Sequence, residues 1–279
     1  MKTIEVEIPV TGDAQDYLVA ELADVGFEGF VQEDDVLKAY IEARLWDGTK
    51  RDWIELWLRS HGIEEPMKET VIDPQNWNAR WEETVQPVAV PPFIIKPTWA
   101  SLPPEHGDKI LLEVDPKMSF GTGYHESTRL MLRLMPDVVK EGDVVMDAGT
   151  GTGILAIAAA RLGAKRAVGF DIDEWAYPNA TENVLLNGFA DRIEIVEGGI
   201  DEVAVGPYDV ILANINLNVL LGLLGSFYER LTSRGRLVMA GMLQGDRPRM
   251  SEALERTGFV IDTEKTENDW WAVVASKRA

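Results

Sequence analysis

Asp147-Ala-Gly149-Thr-Gly151-Thr-Gly153 is a glycine-dense loop with an acidic residue at its head. Glycines let a backbone turn sharply and come close to a ligand that side chains would exclude. A phosphate-cradling loop of the GxxxxGK[ST] type needs a lysine that does not follow Gly153. A dinucleotide loop has a third small residue where Ile154 stands, so the G-x-G-x-G spacing fits it poorly. Twenty-two residues past Gly149 comes Asp171, in Gly169-Phe-Asp171-Ile-Asp173. A carboxylate at that position can accept hydrogen bonds from both hydroxyls of a ribose. Asp173 reads as a helix N-cap. A third group is the amide of Asn214, in Ala213-Asn214-Ile215-Asn216. It either caps the helix that follows, over 216–231, or presents an amide oxygen to a reacting group.

These groups need an alternating frame to bring them together, and from residue 101 onward the chain supplies one. Short apolar runs at Val144–Met146, Ala167–Phe170, Ile193–Val196, Val210–Ala213 and Leu237–Ala240 alternate with helical stretches, including Ile154–Leu162 and Glu174–Asn187. That is the pattern of an α/β domain with a mainly parallel sheet. Asp147, Asp171 and Asn214 then fall at the carboxyl ends of strands, where open α/β sheets bind ligands. Phe259–Thr266 and Trp270–Ser276 predict a closing hairpin.

The first 73 residues read differently. Ile4, Val6 and Ile8 alternate as a strand, and Leu18, Leu22 and Val25 lie on a helix that Gly26 ends. Phe27–Val31 and Val36–Leu45 predict a hairpin, Trp53, Ile54, Trp57 and Leu58 a second helix stopped at Gly62, and Thr70–Ile72 a last strand. The order β-α-β-β-α-β is that of a small α+β, ferredoxin-like split βαβ sandwich. Residues 74–100 contain Pro87, Pro91, Pro92 and Pro97 and read as a semi-rigid connector. Within it, Asn76–Trp81 predicts a short helix whose Trp77 and Trp81 pack against a domain. The expected domains are therefore 1–73, a linker over 74–100, and 101–279.

Composition limits the chemistry further. With 46% apolar and 27% charged residues the 279-residue chain is globular. There is no apolar run of the roughly 20 residues a membrane span requires, and the N-terminus lacks a signal-peptide pattern. A cytoplasmic protein is expected. With no cysteine and only His61, His106 and His125, no metal site is expected. The net charge of −20 opposes direct nucleic-acid binding. Residues 1–73 carry 18 acidic against 7 basic residues, a balance of −11. That excess either steers a cationic protein partner or serves solubility.

The G-x-G-x-G loop after an acidic residue resembles the first motif of class I methyltransferases, and many amine methyltransferases place Asn or Asp at the strand end occupied by Asn214. Four segments together resemble the PrmA family, which methylates ribosomal protein L11. They are Phe120-Gly-Thr-Gly-Tyr124-His125-Glu-Ser-Thr128, the Asp147–Gly153 loop, the Gly169–Asp173 strand end and Ala213-Asn214-Ile215. Pro97-Thr98-Trp99 and Ala240-Gly241-Met242-Leu243 fit as well, with Asn216 a departure that adds a second amide. The resemblance implies a class I (Rossmann-like) methyltransferase domain behind a ferredoxin-like substrate-recruiting domain. It implies methyl transfer from S-adenosylmethionine (SAM) to lysine and N-terminal amines of a basic ribosomal protein, and nothing in the sequence demands more than a monomer. SAM contacts would fall on Thr128, Gly149, Gly151, Asp171 and Asn214, under a lid containing Phe120, Gly121 and Thr122. Asn214 would be the catalytic group, orienting the amine; His125 would make a structural hydrogen bond. Methylation of another protein or a small molecule is the first alternative, a NAD-dependent oxidoreductase the second, and a noncatalytic scaffold the third.

Overall fold

Ile4, Val6 and Ile8 are buried while Thr3, Glu5 and Glu7 between them are partly exposed, as a strand period of two requires. They lie on β1 (Thr3–Ile8), which is followed by α1 (Asp13–Asp24), β2 (Phe27–Gln32), β3 (Leu37–Glu42), α2 (Gly48–Ser60) and β4 (Lys68–Ile72). The computed structural model describes residues 2–72, 86–102, 108–117 and 119–278. The chain divides into two compact units, Met1–Trp77 and Asn78–Ala279.

In the first unit the sheet order is β2-β3-β1-β4, with every neighbouring pair antiparallel. This is the order of two interleaved βαβ units. Leu18 and Leu22 of α1 and Ile54 and Leu58 of α2 share one core with Val6, Ile8, Leu37 and Ile41, so both helices cover the same sheet face. Asp47 caps α2 by accepting the Lys50 N–H at 3.0 Å. The expected short helix at Asn76–Trp81, with its two tryptophans, lies outside the described residues.

The second unit begins earlier than residue 101. Val88–Val90 (β5), Phe93–Lys96 (β6) and Ile110–Glu113 (β7) form a three-stranded sheet. Val90, Phe93, Ile95 and Leu112 are buried in the core that the following helices share. The expected linker over 74–100 is corrected over 86–100, while its stretch 74–85 lies outside the described residues. Pro87, Pro91, Pro92 and Pro97 stand beside these short strands, where a missing N–H breaks no ladder, and so punctuate a sheet.

The remaining elements are α3 (Glu126–Val138), β8 (Val144–Ala148), α4 (Ile154–Arg161), β9 (Arg166–Asp171), α5 (Ala176–Leu186), β10 (Ile193–Glu197), β11 (Tyr208–Asn214), α6 (Leu217–Arg230), β12 (Leu231–Leu243), α7 (Arg247–Thr257), β13 (Phe259–Glu267) and β14 (Trp270–Lys277). The large sheet runs β10-β9-β8-β11-β12-β14-β13, parallel from β10 to β12 and antiparallel beyond. Successive residues of β11 feed opposite cores: Val210 and Leu212 face α3 and α4, while Ile211 and Ala213 face α6 and α7. Burial on both faces is why this strand reads as an unbroken apolar run. From β8 the chain winds outward through β9 and β10, then returns to β11 on the other flank of β8. Strand order reverses between β8 and β11, and their carboxyl ends open the crevice where such sheets hold ligands.

Burying Val90, Phe93 and Ile95 contributes about 1.5–3 kcal/mol each, together comparable with the whole stability of a domain. A chain starting at residue 78 should therefore melt cooperatively, whereas one starting at residue 101 should lack a thermal transition. A cooperative melt for the shorter chain would contradict the assignment of β5 and β6 to this core.

Candidate cofactor and acceptor site

Gly149 and Gly151 adopt φ of +71° and +53°, a region that side chains disfavour. Space is also lacking: a Cβ at Gly149 would lie 2.2 Å from Ile215 Cγ2, and one at Gly151 would lie 2.2 Å from the Phe120 carbonyl oxygen. Every N–H of the loop has a protein acceptor. Gly149 and Thr150 donate to the Phe170 carbonyl at 2.9 and 3.0 Å, Thr152 to Phe120 O at 2.9 Å, and Gly153 to Thr150 O at 2.8 Å. Gly151 donates to Asp171 Oδ2 at 2.9 Å. A dinucleotide loop offers its N–H groups to a pyrophosphate. Here those donors are already used, which suits a ligand without phosphate and disfavours NAD.

Asp171 closes β9, the neighbour of β8. Its Oδ1 accepts the Asp173 N–H at 3.1 Å while Oδ2 holds Gly151. Each carboxylate oxygen retains a further lone pair, enough for the two hydroxyls of a ribose. Asp173 does not cap α5 as expected. Its Oδ1 accepts the Trp175 N–H at 3.0 Å, bracing the turn, and the N-cap position falls on Trp175, two residues later.

Asp147, the acidic residue ahead of the glycines, is fully buried. Burial pushes its carboxyl up to about 7, against hydrogen bonds from the Thr150 hydroxyl and Ala156 N–H that pull it down, with the Asp171 charge adding a smaller upward push. Oδ2 takes both bonds, at 2.7 and 3.1 Å, tying the first turn of α4 to β8. Oδ1 is buried without a partner.

Phe120, Gly121 and Thr122 lie in the loop before α3, strapped onto the glycine loop by Thr152. Besides the Thr152 N–H bond to Phe120, the Thr152 hydroxyl donates to Gly121 O at 2.8 Å. Gly121, at φ +111°, leaves room for that contact, since a Cβ there would meet Thr152 Oγ1 at 2.6 Å. Thr122 turns back on its own loop, accepting the Tyr124 N–H at 3.4 Å. His125 is the N-cap of α3: Nδ1 accepts the Ser127 N–H at 3.2 Å. Its ring stands edge-on between Phe120 and Trp270, at centroid distances of 5.2 and 4.4 Å.

Thr128, buried on the first turn of α3, accepts an N–H of the Asn214 amide at 3.2 Å. Asn214 is the last residue of β11 and does not cap the next helix. That task belongs to Asn216, which accepts the Val219 N–H at 3.2 Å. Asn214 Oδ1 is left buried and unpartnered, beside a cavity of about 250 Å³ lined by Phe120, His125, Ser127, Asn214, Gly241 and Trp270 among others. An unpaired buried acceptor costs free energy unless a ligand supplies a donor. Acceptor capacity is thus left at Asp171 for hydroxyl donors and at Asn214 Oδ1 for an N–H donor. Sequence reading missed Trp270 and Thr152. The pair Trp270-Trp271 was a usable signal, because alternation sends Trp271 into the core and its neighbour to the other face.

The folded Asp147 keeps its proton up to about pH 7, whereas an unfolded Asp ionises near 4. The folded state therefore binds more protons between these values, and stability falls as pH rises through that window. Urea unfolding at pH 5 and pH 7.5 should show a larger loss for the wild type than for Asp147→Asn. Equal losses would contradict the burial argument.

Residues 28–278 match the family described as Ribosomal protein L11 methyltransferase (PrmA). The chain is 36% identical over 272 residues to a protein of that name from Chlorobaculum parvum, covering 96% of this chain and 94% of the relative. It is 33% identical over 308 residues to one from Carboxydothermus hydrogenoformans, covering 99% and 100%. A solved ribosomal protein L11 methylase from Lactobacillus delbrueckii subsp. bulgaricus superposes with a TM-score of 0.66 at 30% identity, covering 70% of this chain and all of that one. A glycine loop with no donor to spare, a carboxylate beside it and matches of this extent lead to one assignment: the chain belongs to the ribosomal protein L11 methyltransferase family.

Proposed function

We propose that this protein transfers methyl groups from SAM to amines of ribosomal protein L11, at lysine side chains and the N-terminal amine, with Asn214 orienting the acceptor. The observation that carries this reading is the unpartnered Asn214 Oδ1 beside an aromatic-lined cavity, one strand away from a glycine loop whose N–H groups are all engaged. SAM, when bound, supplies an electrophilic methyl on a sulfonium, which an amine takes by in-line displacement.

The chain's own residues bind and orient the two reactants. Asp171 accepts the ribose hydroxyls, and Gly149 and Gly151 leave room beside it. Phe120, Gly121 and Thr122 cover the cofactor, held down by Thr152. Thr128 occupies an N–H of the Asn214 amide, which fixes the amide oxygen as an acceptor for the amine's hydrogen and aims its lone pair. Amines react only when neutral, and a free lysine holds its proton to about pH 10.4. Apolar walls from Phe120 and Trp270 penalise the charged form, and the proton leaves to water.

The acidic first unit, at −11 over residues 1–73, supports recruitment of a basic protein. The reading includes a cytoplasmic monomer that makes no direct contact with nucleic acid. Among the described residues no helix is long and apolar enough to cross a membrane.

Incubation with methyl-labelled SAM and purified ribosomal proteins, followed by mass spectrometry, should place label on amines of L11. Asn214→Ala should lower kcat by about a hundredfold, the scale of a misaimed nucleophile. Label confined to another protein would overturn the substrate, and full turnover by the variant would overturn the role of Asn214.

A further inference from the structure

Two segments that are far apart in sequence furnish the walls of the acceptor cavity. Phe120 and His125 come from the loop before α3, and Trp270 from the start of β14. One guanidinium reaches both segments. From the first turn of α3, Arg129 Nη1 donates to the carbonyl oxygen of Tyr124, at the end of the loop. Its Nε donates to Glu267 Oε1 at 2.8 Å, and Nη2 lies 2.7 Å from the same oxygen. Glu267 closes β13, three residues before Trp270, and its other oxygen takes Arg133 Nη1 at 2.5 Å. A second strut runs parallel: Asn268 Nδ2 donates to Glu126 Oε1 at 2.9 Å. The Arg129 and Glu267 side chains are only 19% and 21% exposed.

We infer that Arg129, acting with Glu267, is a positioning residue for the acceptor half of the site, clamping the lid to the β13–β14 hairpin so that His125 and Trp270 meet. The inference rests on the reading of that cavity as the amine site. Among the anchors of the lid, two have separate tasks. Phe120 and Gly121, on the cofactor side, are held by Thr152. Tyr124, on the acceptor side, is held at its carbonyl by Arg129 and at its hydroxyl by the Gln86 backbone, and of these two only Arg129 links it to the hairpin. A planar fork with donors on several edges can serve a carbonyl and a carboxylate together, whereas a lysine ammonium on a shorter reach cannot reproduce that geometry. An ordinary surface ion pair adds little to stability and nothing to turnover. The clamp is distinguished by sparing cofactor affinity while changing turnover.

The test uses the full-length protein with SAM and purified L11, comparing Arg129→Gln, Arg129→Lys, Glu267→Gln and the Arg129→Gln/Glu267→Gln double variant. Arg129→Gln should lose at least tenfold in kcat/KM for the protein acceptor while its calorimetric Kd for SAM stays within twofold. Arg129→Lys should recover only part of that loss, and the double variant should be no worse than Arg129→Gln. Hydrogen exchange, read without any acceptor, should rise together in residues 122–125 and 267–270 and stay unchanged over 149–153. Wild-type kcat/KM in Arg129→Gln, additive losses in the double variant, or exchange that rises in one segment alone would overturn the clamp. Absence of any amine methylation by the wild type overturns the functional reading instead, and the exchange pattern still decides whether the clamp exists. Glu267→Gln is nearly isosteric and leaves Arg129 bound to Tyr124, so it reports on the clamp even if an Arg129 variant misfolds.

Discussion

The hydrogen bond from the Gly151 N–H to Asp171 Oδ2 joins the ends of two adjacent parallel strands beside the crevice. A carboxylate at the tip of β9 holds in place the backbone that leaves β8, and the backbone in turn fixes the carboxylate. Charge-assisted bonds of this kind are short and directional. Because Phe170 O collects the N–H groups of both Gly149 and Thr150, the loop is folded around the end of β9 and not around a ligand. Preorganisation of this sort leaves less to be ordered on binding. It also engages every N–H from Gly149 to Gly153, donors that a dinucleotide loop turns toward a pyrophosphate, so the same contacts disfavour dinucleotides.

The Asn214 side of the crevice is built in a comparable way. Thr128 on α3 and Asn214 on β11 meet across 86 residues of sequence, and the helix cap that Asn214 would otherwise serve is supplied by Asn216. The amide is thereby released from a structural duty and kept in one orientation. Thr152, between the two halves, belongs to the glycine loop but holds the lid. The Phe120–Gly121 end of this lid and the glycine loop are therefore linked through one hydroxyl and one N–H.

Local pattern made most of the fold legible. Alternation located β1, the apolar runs located the parallel strands, and Gly26 and Gly62 fell where α1 and α2 end. The glycine loop, Asp171 and Asn214 stood out because chemistry of that kind leaves a short-range signature. What escaped was of two kinds. Short strands such as Val88–Val90 and Phe93–Lys96 carry too few residues to show a period, and their flanking prolines suggest a stiff tether. Contacts of long sequence separation, such as Arg129 with Glu267 at 138 residues apart, leave no trace in spacing at all. Asp173 illustrates a smaller error: a carboxylate can brace the turn before a helix without being its cap, and the sequence alone does not separate the two.

Titration of SAM into the wild-type protein and into Asp171→Ala by calorimetry bears most directly on the Asp171 crevice. Loss of two charge-assisted hydrogen bonds, each contributing about 1.5–3 kcal/mol, should weaken binding by at least about a hundredfold in the variant. Equal affinity in the two proteins would contradict a cofactor site built on that carboxylate.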